Sequence, residues 1–327
     1  PAASYAHSAS RYWEVAADIP EDQRQYGCKD IARQFVDFSA GNGIEVAFGG
    51  GRRNFLPDTV RDEEGKKGKR KDGLNLIDMW QKRHKNGQYI WNTEGLEQLD
   101  MERGGPVLGL FNTNHMQYEA DRDTDRDGEP SLADMTRKAL KILQKKDGGY
   151  FLYIEGARID HAHHKGNAYR ALHDGIAMAD AVQLAKKMTK ARDTLIIVTA
   201  DHSHGFVMTG DTTRGNPIMG KVVENDHNGV ARDQPSIAED GSPYTTLGYY
   251  NGAGDVGKPR GNLSHVDTTE KDYRQQVVVP TIYERHGGED VAIYARGPGA
   301  YLLKGVVEQN YIFHVMYHAF RLEEKLK

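Results

Sequence analysis

The chain has 327 residues, 38% hydrophobic and 28% charged, enough to bury one large core or two ordinary ones. Its 43 basic residues against 47 acidic ones leave a formal charge of -4, so no bulk basic field points to nucleic acid. No apolar run reaches the ~18 residues that a membrane span needs. The opening "PAASYAHSASRYW" has no Met, charged n-region or apolar h-region, and reads as a mature form or a fragment. "DIARQFVDFSA" (30–40) has helical apolar spacing, and "GIEVAFGGG" (43–51) is a short strand entering a glycine turn. "FGGGRRNF" (48–55) lacks the Gly-Lys-Ser/Thr ending of a phosphate loop, so a tight strand-to-loop turn is expected. The basic run "GKKGKRKDG" (65–73) reads as a solvated loop. "NLIDMWQKRHK" (75–85) and "LADMTRKALKILQKK" (132–146) are amphipathic helices, the second with Pro130 and Ser131 as a start signal.

"YFLYIE" (150–155) and "TLIIVTAD" (194–201) read as strands buried on both faces, with the helix "AYRALHDGIAMADAVQLAKKM" (168–188) between them. That order predicts an α/β fold with a mostly parallel central sheet flanked by helices. From 205 to 285 Gly, Asn, Asp and Pro are frequent, with a strand-like run at "YTTLGYY" (244–250). The expected organisation is an α/β core over 1–204, an irregular insertion with a small β unit over 205–285, and a return to the core over 286–327. The return begins at "DVAIYARG" (290–297), and the helix "YIFHVMYHAFRLEEKL" closes the chain.

Chemistry-bearing residues gather where strands end, the place where open parallel sheets hold ligands. The chain has 14 histidines and a single cysteine, which favours metal chemistry on His and carboxylate ligands. Asp160 and His164, in "EGARIDHAHH", are four apart and share one face of a helical turn. Asp201 and His202, in "TADHSH", are adjacent and suit a turn, while His286 precedes a strand beside a double glycine. Asp160, His164 and His286 supply three ligands with an open fourth position, as in a catalytic zinc. Asp201 and His202 supply an incomplete second set, and Glu155 offers the hard oxygen that Mg²⁺ prefers. Two zinc ions a few ångströms apart suit phosphoryl transfer.

"YIEGARIDHAHHKGNAYRAL", "TLIIVTADHSHGF" and "RHGGEDVAIYARGP" closely resemble alkaline phosphatases, and the resemblance runs from "SYAHSASRYW" almost to the C-terminus. It implies a three-layer sandwich and phosphate monoester hydrolysis through a phosphoserine intermediate, with two zinc ions and one magnesium. It places Asp160, His164 and His286 on the first zinc, Asp201 and His202 on the second, and Glu155 on magnesium. Arg11 matches the arginine that grips two phosphate oxygens, a bidentate task. His204 matches a histidine that orients the zinc ligands, while His161 and His163 are secondary neighbours. The resemblance further implies a homodimer, phosphate monoesters and inorganic phosphate as ligands, and an extracellular, periplasmic or cell-surface location.

The family's nucleophile is a serine in an Asp-Ser-Ala-type motif, and an upstream aspartate bridges the second zinc and the magnesium. Neither is found in this chain: Ser8 and Ser10 lie within the arginine motif and lack the preceding Asp. An N-terminally truncated sequence, inactive alone, is the expectation. From the residues alone Cys28 is either a buried thiol or half of a disulfide with a partner outside the chain. The resemblance implies the disulfide.

"DRDTDRDGEPSLAD" (121–134) follows the opening of an EF-hand loop at Asp123, Asp125, Asp127 and Gly128, with Asp134 in the twelfth place. A solvated acidic loop leading into the next helix is the favoured reading. The calcium site of animal family members aligns with Phe111, Asn112 and Glu129, where Asn112 replaces an acidic ligand. Two alternatives stay open. One is a related sulfatase or phosphodiesterase with a different nucleophile; the other is a non-catalytic zinc- or phosphate-binding protein.

Overall fold

The computed structural model describes residues 2–41, 43–254 and 260–322. The chain divides into two compact units, Pro1–Gly156 and Ala157–Lys327. The division falls within the segment expected as one core.

The first unit is built on three parallel strands, β1 (Val46–Gly49), β2 (Gln88–Ile90) and β3 (Val107–Leu110), in the order β1-β3-β2. Five helices belong to it: α1 (Glu21–Gln25), α2 (Ile31–Asp37), α3 (Leu76–Arg83), α4 (Thr93–Glu97) and α5 (Leu132–Leu143). Successive side chains on a strand face opposite ways, and β3 carries both cores on that alternation. Leu108 and Leu110 pack with Phe35 and Val36 of α2 and with Leu76, Ile77 and Trp80 of α3. Val107, with Phe111 just beyond the strand, packs with Ile90, Leu96 and Leu99, against which Met135 and Ile142 of α5 also lie. Helix, sheet and helix therefore form the α/β layers that the sequence predicts.

The helices begin where side-chain oxygens cap them. Asp30 caps α2, Asn75 caps α3 and Ser131 caps α5, each accepting backbone N–H groups of the first turn. The turn after β1 is held by close approach: a Cβ on Gly50 would lie 2.1 Å from the Asn114 carbonyl oxygen.

The second unit opens with α6 (Arg158–His164) and α7 (Ala168–Met188), capped by Asn167. β4 (Ile196–Val198) pairs with β10 (Tyr294–Arg296), and β5 (Ser203–His204) with β9 (His286–Gly287), both antiparallel. A third sheet orders β6 (Phe206–Met208), β7 (Leu247–Gly252) and β8 (Val277–Pro280), with β6 antiparallel and β8 parallel to β7. Helix α8 (Tyr311–Ala319) follows. The predicted end of that helix, beyond 322, lies outside the described residues.

Four local expectations need correction. Residues 150–155 form no strand: Phe151 and Tyr153 are 55% and 52% exposed, so the run is not buried on both faces. The 194–201 run does supply β4, but β4 pairs antiparallel with β10 instead of joining a parallel sheet across α7. Apolar composition cannot give strand direction, because a run pairs with whatever neighbour the topology delivers. In the basic 65–73 loop, Arg70 is fully buried and grips Asp30 with both terminal nitrogens at 3.0 Å, and it also pairs with Asp72. A bidentate carboxylate pair is what allows a guanidinium to be buried there. Cys28 is exposed, which removes the buried-thiol reading.

Candidate metal centre

The candidate centre lies wholly in the second unit, and three elements bring its donors together. Helix α6 carries Asp160 and His164 one turn apart, with Asp160 Oδ1 3.2 Å from His164 Nε2. Small Ala162, fully buried between them in sequence, lets the helix sit close to its surroundings. Strands β5 and β9 pair His204 directly with His286, so the two side chains leave the same face of the ladder. His202, just before β5, stacks on His286 with ring centroids 3.6 Å apart.

All four rings turn Nε2 towards one atom. Asp160 Oδ1 is 3.1 Å from His204 Nε2, 3.2 Å from His164, 3.4 Å from His286 and 3.8 Å from His202. His164 and His286 also bring their Nε2 atoms within 3.1 Å of each other. Despite this crowding, Asp160 Oδ1 and His204 Nε2 are buried and neither has a hydrogen-bond partner of sound geometry. A buried polar atom left unpaired costs about 1–3 kcal/mol. A cation among these atoms would satisfy both at once. Imidazole nitrogens with a carboxylate oxygen are the donors that zinc takes, and the residues present fit such an ion.

The electrostatics follow the geometry. Burial works against ionisation of Asp160, but His204 and His164 beside it outweigh that and hold its carboxyl well below the usual range. Burial likewise opposes the charged form of His204, yet the carboxylates of Asp160 and Glu284 on its two nitrogens push its pKa up to about 9. His163 goes the other way: burial, reinforced by the His204 charge, lowers it to about 4. Its ring stacks on His204 at 4.6 Å and its Nδ1 meets the Tyr249 hydroxyl at 2.8 Å. Burial and the neighbouring His202 and His164 rings lower His286.

The other expected residues sit as follows. Asp160, His164, His202 and His286 are brought together. Asp201 is 89% exposed and stands 3.5 Å from His202 Nε2. His204, expected to orient ligands, stands among them as a donor. His161 lies against Arg158, at 3.0 Å. Glu155 and Arg11 are exposed residues of the first unit. Glu284, which the sequence did not single out, is fully buried behind the cluster. It sits two residues before His286 in a stretch rich in polar residues, and nothing in its spacing signals burial.

The three calcium candidates belong to the first unit, where Asn112 and Glu129 bond each other. Glu129 and Phe111 are buried, and the Glu129 carboxylate accepts the Asn112 amide at 2.6 Å and the Gln117 N–H at 2.7 Å. Asn112 thus bonds the carboxylate with its nitrogen, leaving its oxygen to accept from Asn114 N–H. In the EF-hand-like stretch Asp134 is bonded by the Ser131 hydroxyl at the start of α5, and Asp125 accepts from the Asp127 N–H. This is the geometry of a loop leading into a helix.

An α/β protein that gathers imidazoles and a carboxylate around one buried oxygen has a donor set that could hold a metal ion. The alkaline phosphatase family profile matches residues 1–322. The tissue-nonspecific alkaline phosphatase isozymes of Felis catus and Homo sapiens are 45% and 42% identical to the chain, each over 98% of it and 60% of their own length. The chain belongs to the alkaline phosphatase family, and spans about 60% of the length of these relatives. Among solved structures, the alkaline phosphatase of the Antarctic bacterium TAB5 aligns over 98% of the chain and 68% of its own, with a TM-score of 0.55 and 19% identity. A TAB5 variant described with Mg bound in its M3 site aligns with a TM-score of 0.58 at 19% identity, over 98% of the chain and 68% of its own. The cold-active enzyme of Shewanella sp. gives 0.56 at 19% identity, covering 98% and 72%. At these identities the structural likeness carries the fold. No helix among the described residues is long and apolar enough to cross a membrane.

Proposed function

We propose that the chain supplies the metal-binding part of a phosphate monoester hydrolase. The observation that carries this reading is the convergence of four imidazole Nε2 atoms on the buried Asp160 Oδ1. Five donors exceed the four of a single closed tetrahedral zinc site, which favours sharing between two ions. We assign Asp160, His164 and His286 to a first zinc and Asp201 and His202 to a second. Glu155 is assigned to magnesium, and His204 stands between orienting and ligating roles. Calcium at Phe111, Asn112 and Glu129 belongs to the same reading, and would require the Asn112 amide to turn its oxygen inward.

Zinc in this set would act as a Lewis acid on the phosphoryl and attacking oxygens. The protein's own part is positional. Ionised Asp160 fixes the negative charge at the centre, and the rings of His164, His202 and His286 are held with Nε2 inward. Arg11 would present two parallel donors to phosphate oxygens, and burial keeps His163 neutral beside His204. The reading includes the family's serine nucleophile, a homodimer, an extracellular, periplasmic or cell-surface location, and residues 205–285 as an insertion on the α/β core.

The test is p-nitrophenyl phosphate hydrolysis by two proteins. One is the 327-residue chain; the other joins it to the N-terminal segment of a family member bearing the Asp-Ser-Ala motif. Turnover by the joined protein alone, abolished by Asp160→Ala, is the expected outcome. Equal turnover by the 327-residue chain, or none from a folded, zinc-loaded joined protein, contradicts the reading.

A further inference from the structure

Behind the candidate centre a single residue, Glu284, bonds both of the histidines that approach Asp160 most closely. Its carboxylate is fully buried. One oxygen, Oε2, accepts from His204 Nδ1 at 2.6 Å, and the other, Oε1, accepts from the Gly205 backbone N–H at 2.6 Å. Its main chain is engaged as well: its carbonyl accepts from His164 Nδ1 at 2.7 Å, and its N–H donates to the His164 carbonyl at 3.0 Å. A carbonyl can only accept, so His164 carries a proton on Nδ1 and Nε2 is the nitrogen turned to Asp160. The Glu284 carboxylate, whose other oxygen accepts from the Gly205 N–H, likewise accepts from the His204 Nδ1 proton and leaves Nε2 as the nitrogen turned to Asp160.

We propose that Glu284 is the positioning residue of the metal centre, its carboxylate fixing His204 and its backbone fixing His164 so that both Nε2 atoms face the ion. The proposal rests on the metal reading above. A metal-ligating imidazole that donates its other N–H to a carboxylate or a carbonyl is fixed in tautomer and orientation, and its basicity rises. Glu284 performs both forms of that contact at once, joining the end of α6 to β5. The space around it accommodates the carboxylate: a Cβ on Gly205 would stand 3.3 Å from Oε1, and one on Gly252 3.4 Å from the Glu284 Cβ.

The experiment combines zinc titration with ¹⁵N-histidine NMR on the full chain, as wild type, Glu284→Gln and Glu284→Met. In metal-free wild type a downfield, slowly exchanging Nδ1–H resonance is expected, assigned to His204 by its loss in His204→Gln. Glu284→Met should lose it and Glu284→Gln should move it upfield, while the His164 Nδ1–H, bonded to backbone, persists. Zinc affinity should fall about 10–100-fold in Glu284→Met. Glu284→Gln keeps a neutral acceptor, so its loss should be smaller, and cooperative melting shows that it is folded. A folded Glu284→Met with wild-type zinc affinity overturns the proposal. So does a wild type lacking the His204 Nδ1–H resonance. If the wild type binds no zinc, the metal reading falls and the Glu284 proposal falls with it, whatever the NMR shows. If it binds zinc and both variants match it, only the Glu284 proposal falls.

Discussion

Asp160 Oδ1 has four imidazole nitrogens around it and no hydrogen bond of sound geometry, and Arg70 is the opposite case, a buried charge whose needs are met. Both could be named from the sequence, but only one could be understood from it. Asp160, His164, His202 and His286 were legible because metal donors are few in kind and their spacings restrict who can share a face. Arg70 was misread, since a run of Lys and Arg looks solvated and its partner Asp30 lies 40 residues away. Glu284 was missed for the same reason: burial of a charge depends on long-range partners. Removing one partner of a buried, bidentate pair leaves an uncompensated charge. Arg70→Ala is therefore predicted to destabilise the first unit by about 3–5 kcal/mol, read from urea unfolding. A loss under 1 kcal/mol would mean that Asp30 finds water or another donor, and that the pair does not hold the loop.

Among the elements, helices were read well. Helix α7 spans Ala168–Met188, the predicted residues, because its apolar period and capping Asn167 are local signals. Along it Ala168, Ala171, Ala181 and Ala185 are buried while Ile176 is 59% exposed. Strands fared worse, since 150–155 forms none and β4 pairs antiparallel. A strand is defined by its neighbour, and the neighbour is not written in the strand. Asn167 joins the helix to the rest of the second unit: its oxygen accepts from Arg170 N–H at 2.8 Å and its amide donates to the Lys271 carbonyl at 2.9 Å. Asn167→Ala removes both, for an expected cost of about 1–3 kcal/mol. Asn167→Ser should recover the cap and not the Lys271 bond. Full recovery by Ser would show that the cap alone accounts for the loss.

At the scale of the whole molecule, acid and base act on the two stacked histidines in opposite senses. The folded pKa of His204 stands near 9, above the ordinary 6.5, so in metal-free protein its stabilisation is complete below about pH 6.5 and is lost as pH rises through 9. The folded pKa of His163 lies near 4, so its contribution is present above pH 6.5 and lost as pH falls towards 4. Taken together, these two histidines contribute most to metal-free stability near pH 6.5. Zinc on His204 Nε2 would displace a proton, so binding tightens as pH rises. The gap in Tm between zinc-loaded and metal-free protein should widen from pH 6.5 to 9, measured by calorimetry. A constant or narrowing gap would place zinc away from His204.

Family membership rests on a match over residues 1–322, and the relatives extend well beyond the length of this chain. The function proposed for it turns on the donors gathered around Asp160. The most direct measurement is anomalous diffraction at the zinc edge from crystals grown with zinc. A strong peak is expected about 2.0–2.2 Å from an Asp160 carboxylate oxygen and from at least two of the Nε2 atoms of His164, His202, His204 and His286. A zinc-soaked crystal with no peak there, and with Asp160 instead hydrogen-bonded to a protonated His204, would contradict it.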